Sequence, residues 1–187
     1  MLYVVTGFMR SGTSMMMKCI EAGGMRVAYS ERRDAEMNTR WGEADYVPNK
    51  AYYELEQSDY LEGNLAERFE GMVIKCLWGG ALRLPPPGPY HFIVMRRPSK
   101  EIRTSLISAF GADTPASIFP DLDKTLDDFE RCLIDRRSTL SLNRIEYHDI
   151  IERPLETLQK LDWPIDATAA SKVPIKTKAR YLWPVKS

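Results

Sequence analysis

Apolar and polar positions alternate in blocks along the chain, and the first block sets the pattern. Residues 2–6 are a short run of strand formers, the glycine-bounded stretch 7–12 follows, and residues 13–22 are mostly helix formers. β-Branched and aromatic residues favour a strand, whereas methionine, lysine and alanine favour a helix. Gly23 and Gly24 then supply a helix stop. The order predicts a strand, a glycine loop and a helix over 13–22.

Later blocks repeat this alternation of strand and helix. The apolar runs 72–77 and 91–95 predict buried strands, and the second of them leads into a helical pattern that ends at Gly111. The remaining predicted elements are helices over 51–57, 59–69 and 121–141, a short strand over 144–147, and a helix that has Pro154 in its first turn.

Two segments depart from this pattern. Residues 25–50 form a long polar excursion, and loops of that length are uncommon in compact domains unless they have a function. A lid or substrate-facing segment and a simple surface insertion are both open interpretations. The chain has no acidic residue after Asp166, so residues 172–187 form a basic tail, which either closes over a bound anion or is disordered.

Strands separated by helices, without internal repeats, predict a three-layer α/β/α domain with a mostly parallel central sheet. The length of 187 residues fits a single domain, 1–187. Ligands of such sheets bind at the carboxyl ends of the strands. Two arginine-bearing junctions, 10–14 and 96–105, each follow a predicted strand. We therefore expect both junctions to lie at the same edge of the sheet.

Composition excludes several classes of partner. Lysine plus arginine and aspartate plus glutamate both total 26, so no general attraction to nucleic acid or membrane is expected. Cys19, Cys76 and Cys132 are far apart among apolar neighbours, as reduced core cysteines are, and their spacing does not predict a metal site. No segment approaches about 18 consecutive apolar residues and the N-terminus lacks a basic region before an apolar run, so we expect a cytoplasmic protein.

The stretch 7–14 predicts an anion site. Gly7 and Gly12 bracket a loop of the length that wraps backbone N–H groups around a phosphate, with a helix N-terminus behind it. In the ATP- and GTP-binding version, Gly-x-x-x-x-Gly-Lys-Ser/Thr, the lysine reaches the β- and γ-phosphates and the hydroxyl binds magnesium. Here Thr13 replaces that lysine, and Arg10 supplies a cation inside the loop. The loop therefore suits an anion without being built for γ-phosphoryl transfer.

Over most of its length the chain resembles the sulfotransferase family, which uses 3′-phosphoadenosine 5′-phosphosulfate (PAPS) and whose fold is related to that of the nucleotide kinases. The similar segments are the 5′-phosphosulfate loop at 7–14, the Asn-x-x-Gly-Tyr-Tyr-Glu segment of bacterial members at 49–54 (with Ala51 in place of glycine), the 3′-phosphate motif at 92–105, and the late strand, turn and helix at 144–156.

The resemblance implies that PAPS is the co-substrate, adenosine 3′,5′-bisphosphate the product and a small alcohol, amine or sugar the acceptor, with no metal required. The residues implied to bind PAPS are Gly7, Arg10, Ser11, Gly12, Thr13, Ser14, Arg96, Arg97 and Ser105. In the 3′-phosphate motif an arginine precedes a serine by eight residues, which favours Arg97 with Ser105 over Arg96 with Thr104. The alternative is that these arginines only form surface ion pairs, with Glu70 or Asp34.

The resemblance also implies catalytic roles. Arg10 would stabilise the leaving 5′-phosphate. Lys75, at the end of a predicted strand, is similar to a family lysine that reaches the sulfuryl group; the other interpretation is a lysine that extends its ammonium to solvent. Cytosolic members have a histidine two residues after that lysine, where this chain has Leu77. Glu54 is the candidate base, since the resemblance to the branch with Tyr-Tyr-Glu and to other members that use an acid base makes a carboxylate acceptable; the alternative is an ordinary solvated helix glutamate.

Other assignments stay open at this stage. Asp34 is the second choice of base, while His91 and His148 are predicted to be structural. A nucleotide-binding module without turnover and a P-loop kinase are the alternative functions. The acceptor and the oligomeric state are not indicated by the sequence.

Overall fold

Among the described residues, five parallel strands form a central sheet. The structure, a computed structural model, describes residues 1–41, 52–61, 63–85, 88–110, 121–136 and 139–173. The strands are β1 (Leu2–Gly7), β2 (Val27–Ala28), β3 (Val73–Lys75), β4 (Tyr90–Arg96) and β5 (Thr139–Glu146). The helices are α1 (Thr13–Ala22), α2 (Glu31–Trp41), α3 (Gln57–Leu61), α4 (Leu65–Arg68), α5 (Trp78–Ala81), α6 (Ser99–Phe110), α7 (Leu122–Ile134), α8 (Tyr147–Glu152), α9 (Pro154–Gln159) and α10 (Ala167–Ala170).

The strand order is β2-β3-β1-β4-β5, and every pair is parallel. The central strand β1 lies between β3 and β4, so the chain turns to opposite sides of the sheet around it. Such a switch point leaves a crevice at the carboxyl end of the central strand, which is where parallel sheets bind ligands. In this molecule the 7–14 loop occupies that place.

Helices cover both faces of the sheet, and the side chains of its inner strands are therefore buried on both sides. On β4, Ile93 and Met95 pack against one cluster, which includes α1, α8 and α9. Phe92 and Val94 pack against the other cluster, which includes α4, α5 and α7. The predicted three-layer α/β fold is therefore confirmed, including the bounds of α1.

The prediction of a long loop over 25–50 was wrong for its first part. Residues 27–28 form β2 and 31–41 form α2. Among residues 31–36 of α2 only Asp34 is buried, so this part of the helix has no apolar stripe for a periodicity search to find. Exposed ion pairs, including Arg32 with Glu36, lie along it instead. Residues 42–51 lie outside the described residues.

Other boundaries also differ from the predictions. Residues 52–56 are not helical, and the helix predicted over 59–69 is divided into α3 and α4. The helix predicted over 121–141 ends at Ile134, and β5 begins at Thr139. Because β5 is an edge strand with few buried positions, its sequence lacks the apolar run that revealed β1 and β4. Residues 174–187 of the predicted basic tail lie outside the described residues.

The cysteines are unpaired thiols, and two of the three are in the core. Burial raises the pKa of Cys19 and of Cys76 to about 12, which makes both unreactive at neutral pH. Cys132 is exposed on α7, so the prediction that all three lie in the core was wrong. Among the described residues, no helix has the length and apolar character needed to cross a membrane.

Candidate functional site

The loop between β1 and α1 is a tight backbone turn. The Ser11 N–H and the Ser11 hydroxyl both donate to the Phe8 carbonyl, at 3.2 and 2.7 Å. Arg10 has φ 71° and Gly12 has φ 100°. Left-handed backbone next to right-handed backbone turns consecutive N–H groups toward one concave side, which is the geometry of anion-binding nests. Arg10 adopts this conformation without being glycine, and such strain is typical of functional sites.

The two glycines of the loop are required by close contacts. A Cβ atom on Gly7 would lie 2.6 Å from Ser11 Oγ and 2.7 Å from the Met95 carbonyl oxygen. A Cβ atom on Gly12 would lie 2.8 Å from Cδ2 of Tyr147. The loop is therefore packed directly against β4 and against the start of α8.

The start of α1 adds a positive electrostatic end. The helix has no acidic residue in its first turn. Its N-cap residue is Gly12, and no side chain among the described residues forms a capping hydrogen bond there. The first N–H groups of a helix lack intrahelical partners and favour an anion. Thr13 and Ser11, both buried, lie at this end.

The junction between β4 and α6 joins the same site. Arg97 is 5% exposed, and its Nη1 donates to the Arg10 carbonyl at 3.2 Å. In return, Arg10 Nε donates to Ser105 Oγ on α6 at 3.2 Å. The guanidinium of Arg97 lies 4.3 Å from the ring centroid of Tyr147. The two predicted cation-bearing junctions are therefore in direct contact.

The neighbouring arginine faces elsewhere. Arg96 Nη2 donates to Asp127 Oδ1 at 2.7 Å, and its Nη1 lies 3.2 Å from Glu130 Oε1, both on α7. Burial raises the pKa of Glu130, while the positive charges of Arg96 and Arg144 oppose that shift. Arg96 is thus bound to α7. Arg97 instead forms its ion pair with Glu101. Neither arginine pairs with Glu70 or Asp34, the partners considered from sequence.

The candidate catalytic residues Glu54 and Lys75 lie together beside the loop. Lys75 is 3% exposed, so the alternative of a lysine extended into solvent was wrong. Its Nζ is 2.6 Å from Glu54 Oε1 and donates to Ser14 Oγ at 3.3 Å. The Ser14 hydroxyl in turn lies 3.4 Å from the Tyr52 carbonyl oxygen. This cluster joins the end of β3, the start of α1 and the segment 52–56.

Asp34, the second choice of base, has a different environment. It is buried at 5% exposure, and its carboxylate accepts the backbone N–H groups of Tyr52, Tyr53 and Glu54 at 3.1–3.2 Å. A carboxylate engaged by three donors is poorly placed to take a proton from a substrate. This environment disfavours Asp34 as the base.

Sequence reasoning missed three residues at this edge. Tyr147 packs against Gly12, and His148 Nε2 is 2.7 Å from Glu101 Oε1. Burial would raise the pKa of Glu101, but its hydrogen bonds with Arg97 and His148 outweigh that effect, so the pKa is lowered. Glu101 follows Arg97 by four residues, and Tyr147 is the last residue of a predicted strand, so both signals were present in the sequence. His148 was predicted to be structural because it is far from the loop in sequence, but the parallel pairing of β4 with β5 brings it to Glu101 at the β4–α6 junction.

A further missed residue is Tyr52. Its hydroxyl oxygen is buried and has no hydrogen-bond partner among the described residues. Burial raises the pKa of Tyr52, and the nearby charge of Arg10 opposes that shift. His91, in contrast, contacts Ser141 at 2.7 Å and stacks on Tyr3, so its contacts lie within the sheet region.

The sequence matches no protein-family model and no curated protein. Among solved structures, the chain is similar to an unliganded sugar kinase from Janibacter sp. HTCC2649, with 18% sequence identity and a TM-score of 0.45; the match covers 90% of this chain and 96% of the kinase. A likeness of this degree identifies neither a reaction nor a substrate.

Proposed function

We propose that the protein is a PAPS-dependent sulfotransferase, which moves the sulfuryl group to a hydroxyl or amine of a small-molecule or sugar acceptor. The observation that carries this proposal is the contact between the two junctions, in which Arg97 binds the Arg10 carbonyl and Arg10 binds Ser105. Two cation-bearing junctions that form one site suit a ligand with two anionic groups. PAPS is such a ligand, since it has a 5′-phosphosulfate and a 3′-phosphate.

The 5′ group would bind at the loop 7–14. Nest-type backbone N–H groups and the positive end of α1 favour an anion there. Arg10 keeps its charge at any physiological pH, and its planar fork can hold two oxygens of the leaving phosphate. Preorganised donors of this kind stabilise charge that develops in a transition state.

The 3′-phosphate would bind at Arg97 and Ser105. Arg97 is held by Glu101 and by the Arg10 carbonyl, so its guanidinium is fixed before a ligand arrives. Arg96 is less suited, because its guanidinium is bound to Asp127 and Glu130 on α7, whereas that of Arg97 contacts the loop. We therefore assign the 3′-phosphate to Arg97.

The transfer step would use Glu54 and Lys75. The acceptor oxygen or nitrogen attacks sulfur, the bond between sulfur and the bridging oxygen of the 5′-phosphate breaks, and the acceptor proton passes to the Glu54 carboxylate. The products are the sulfated acceptor and adenosine 3′,5′-bisphosphate. Lys75, beside Glu54 and Ser14, supplies positive charge near the sulfuryl oxygens.

The contact between Lys75 and Ser14 also favours sulfuryl over phosphoryl transfer. In the ATP-binding loop, the hydroxyl at this position binds magnesium. In this chain the same hydroxyl accepts a hydrogen bond from an ammonium group. Thr13, moreover, has no charge to offer a γ-phosphate.

Calorimetric titration with PAPS and with adenosine 3′,5′-bisphosphate tests the proposal. We expect binding by the intact protein and an affinity about 30- to 100-fold lower for Arg10→Ala, because a charged hydrogen-bond donor is lost. Arg131→Ala is the matched control, since Arg131 is exposed on α7. No binding at high micromolar ligand, or unchanged affinity of Arg10→Ala, would refute the proposal.

Two activity measurements separate the alternatives. Transfer of labelled sulfate from PAPS to a member of an acceptor panel would exclude a module without turnover. Magnesium-dependent consumption of ATP would instead indicate a kinase.

A further inference from the structure

We propose that Asp34 is a positioning residue, which holds the chain at 52–54 so that Glu54 faces Lys75 and the loop. The inference rests on the proposed function in one respect, namely that Glu54 is the base. It assigns a role to α2, the helix that sequence patterning did not reveal.

The first contact is with consecutive backbone groups. Asp34 Oδ2 accepts the N–H groups of Tyr52 and Tyr53 at 3.1 and 3.2 Å, and its Oδ1 accepts that of Glu54 at 3.1 Å. A charged acceptor strengthens each of these bonds, and its burial at 5% exposure shields them from water. One side chain thereby fixes three peptide units.

The second contact comes from the same turn of α2. The Ser30 N–H donates to the Glu54 carbonyl at 2.8 Å, and the Asp34 N–H donates to the Ser30 carbonyl at 2.9 Å. Both the N–H and the C=O of Glu54 are therefore held by residues at the start of one helix. We name Ser30 and Asp34 together the α2 clamp.

The clamp holds an unfavourable backbone conformation. Tyr53 has φ 57°, in the left-handed region that bulky residues rarely adopt. Its ring is buried at 2% exposure and its hydroxyl donates to Glu21 Oε2 at 2.6 Å, so the side chain is anchored on α1. Strain of this kind persists only where the surroundings impose it, and it concentrates at functional sites.

The result of the strained turn is the direction of Glu54. Immediately after Tyr53, the Glu54 carboxylate reaches to 2.6 Å from Lys75 Nζ. A relaxed Tyr53 would rotate the following peptide and carry this carboxylate away from the lysine. Asp34 would thus act on catalysis through Glu54, without touching the substrate.

Crystal structures of Asp34→Asn and of Glu36→Gln test the positioning without any assay of activity. Asparagine keeps the shape of aspartate but presents an NH₂ group to at least one of the backbone donors. We expect the distance from Glu54 Oε1 to Lys75 Nζ to exceed the ion-pair limit of 4.0 Å in Asp34→Asn. Glu36→Gln removes an equal charge from the exposed side of α2 and should keep the distance near 2.6 Å. An unchanged ion pair in Asp34→Asn would overturn the inference.

If Asp34→Asn does not fold, amide hydrogen exchange of the wild-type protein tests whether the backbone N–H groups of residues 52–54 are held. The amides of Tyr52, Tyr53 and Glu54 should exchange at least about 100-fold more slowly than those of an unstructured peptide. Exchange at the rate of an unstructured peptide would overturn the clamp.

Release of sulfate from PAPS into water tests the link to catalysis. We expect Asp34→Asn to lower kcat about 100-fold, while its affinity for adenosine 3′,5′-bisphosphate stays within about 2-fold of wild type, because the anion site is built from other residues. In a Glu54→Gln background the same substitution should have no further effect on kcat. A further loss there would show that Asp34 acts by another route. If the wild-type protein binds no PAPS, the proposed function fails, and the crystal structures still decide whether Asp34 holds Glu54.

Discussion

The junctions β1–α1 and β4–α6 both contribute to the candidate site, but they are built in different ways. Both follow neighbouring strands, since Gly7 pairs with Met95 in the parallel register, and both bring an arginine to one crevice. In the first junction the backbone makes the site, through Gly7, Gly12 and the left-handed Arg10. In the second the side chains make it, through the contacts of Arg97 with Glu101 and with the first junction.

The difference determines how each junction responds to mutation. A loop built from backbone is displaced when a Cβ atom is added where the chain lies close to a neighbouring element, whatever the chemistry of the new side chain. A side-chain-built site depends on the direction that each side chain takes. The substitutions below are chosen to separate these two modes.

The largest effect is expected for Gly12→Ala in the backbone-built loop. Its Cβ would lie 2.8 Å from Tyr147, the ring on which Arg97 stacks. Strain and overpacking together should lower the free energy of unfolding by about 3 kcal/mol, and displacement of the loop should lower the affinity for adenosine 3′,5′-bisphosphate at least about 100-fold.

Gly24→Ala is the matched control for this substitution. Gly24 has φ +92°, and a Cβ atom there would have no heavy atom within 4 Å. We expect a loss of only about 1 kcal/mol and unchanged affinity. Urea denaturation and calorimetry give both quantities. Equal losses for the two variants would mean that the contact with Tyr147 is unimportant.

The second effect separates the adjacent arginines of the side-chain-built site. Arg97→Ala should lower the affinity for adenosine 3′,5′-bisphosphate about 30- to 100-fold, since a fixed charged donor is removed. Arg96→Ala should change that affinity less than about 3-fold, but it should lower the free energy of unfolding by about 1–3 kcal/mol because Glu130 loses a charged partner. Calorimetry and urea denaturation of both variants check this. The reverse assignment would place the 3′-phosphate at Arg96.

The smallest effect concerns the carboxylate that holds Arg97. The pKa of Glu101 is lowered because its bonds with Arg97 and His148 outweigh burial, so its stabilising contribution is present above the ordinary pKa of glutamate. At neutral pH, Glu101→Gln should therefore be about 1 kcal/mol less stable than wild type. That difference should vanish as the pH falls through the lowered pKa. Urea denaturation across acidic pH measures it, and a difference independent of pH would contradict the ionic role of Glu101.

Much of the fold could be predicted from local sequence. The inner strands β1 and β4 are buried on both faces and therefore appear as continuous apolar runs, and Gly23 and Gly24 mark the end of α1. Elements with fewer buried apolar side chains were predicted only in part or not at all, since the strand predicted over 144–147 covers only the end of β5 and α2 was not predicted. The edge strand β5 and residues 31–36 of the charged helix α2 bury few apolar side chains, so the hydrophobic pattern that identifies buried elements is weak in both. That residues 1–187 form a single domain stays a prediction.

By itself, the sequence determined the backbone half of the candidate site. A loop that needs glycine at 7 and 12 is specified locally, since its turn and its N–H groups belong to consecutive residues. Only the tertiary structure decided the side-chain half. It separated Arg97 from Arg96, brought Glu101, Tyr147 and His148 to the crevice, and set Asp34 against residues 52–54. These contacts join residues far apart in sequence, and they depend on the direction of each side chain after the sheet and its helices have packed.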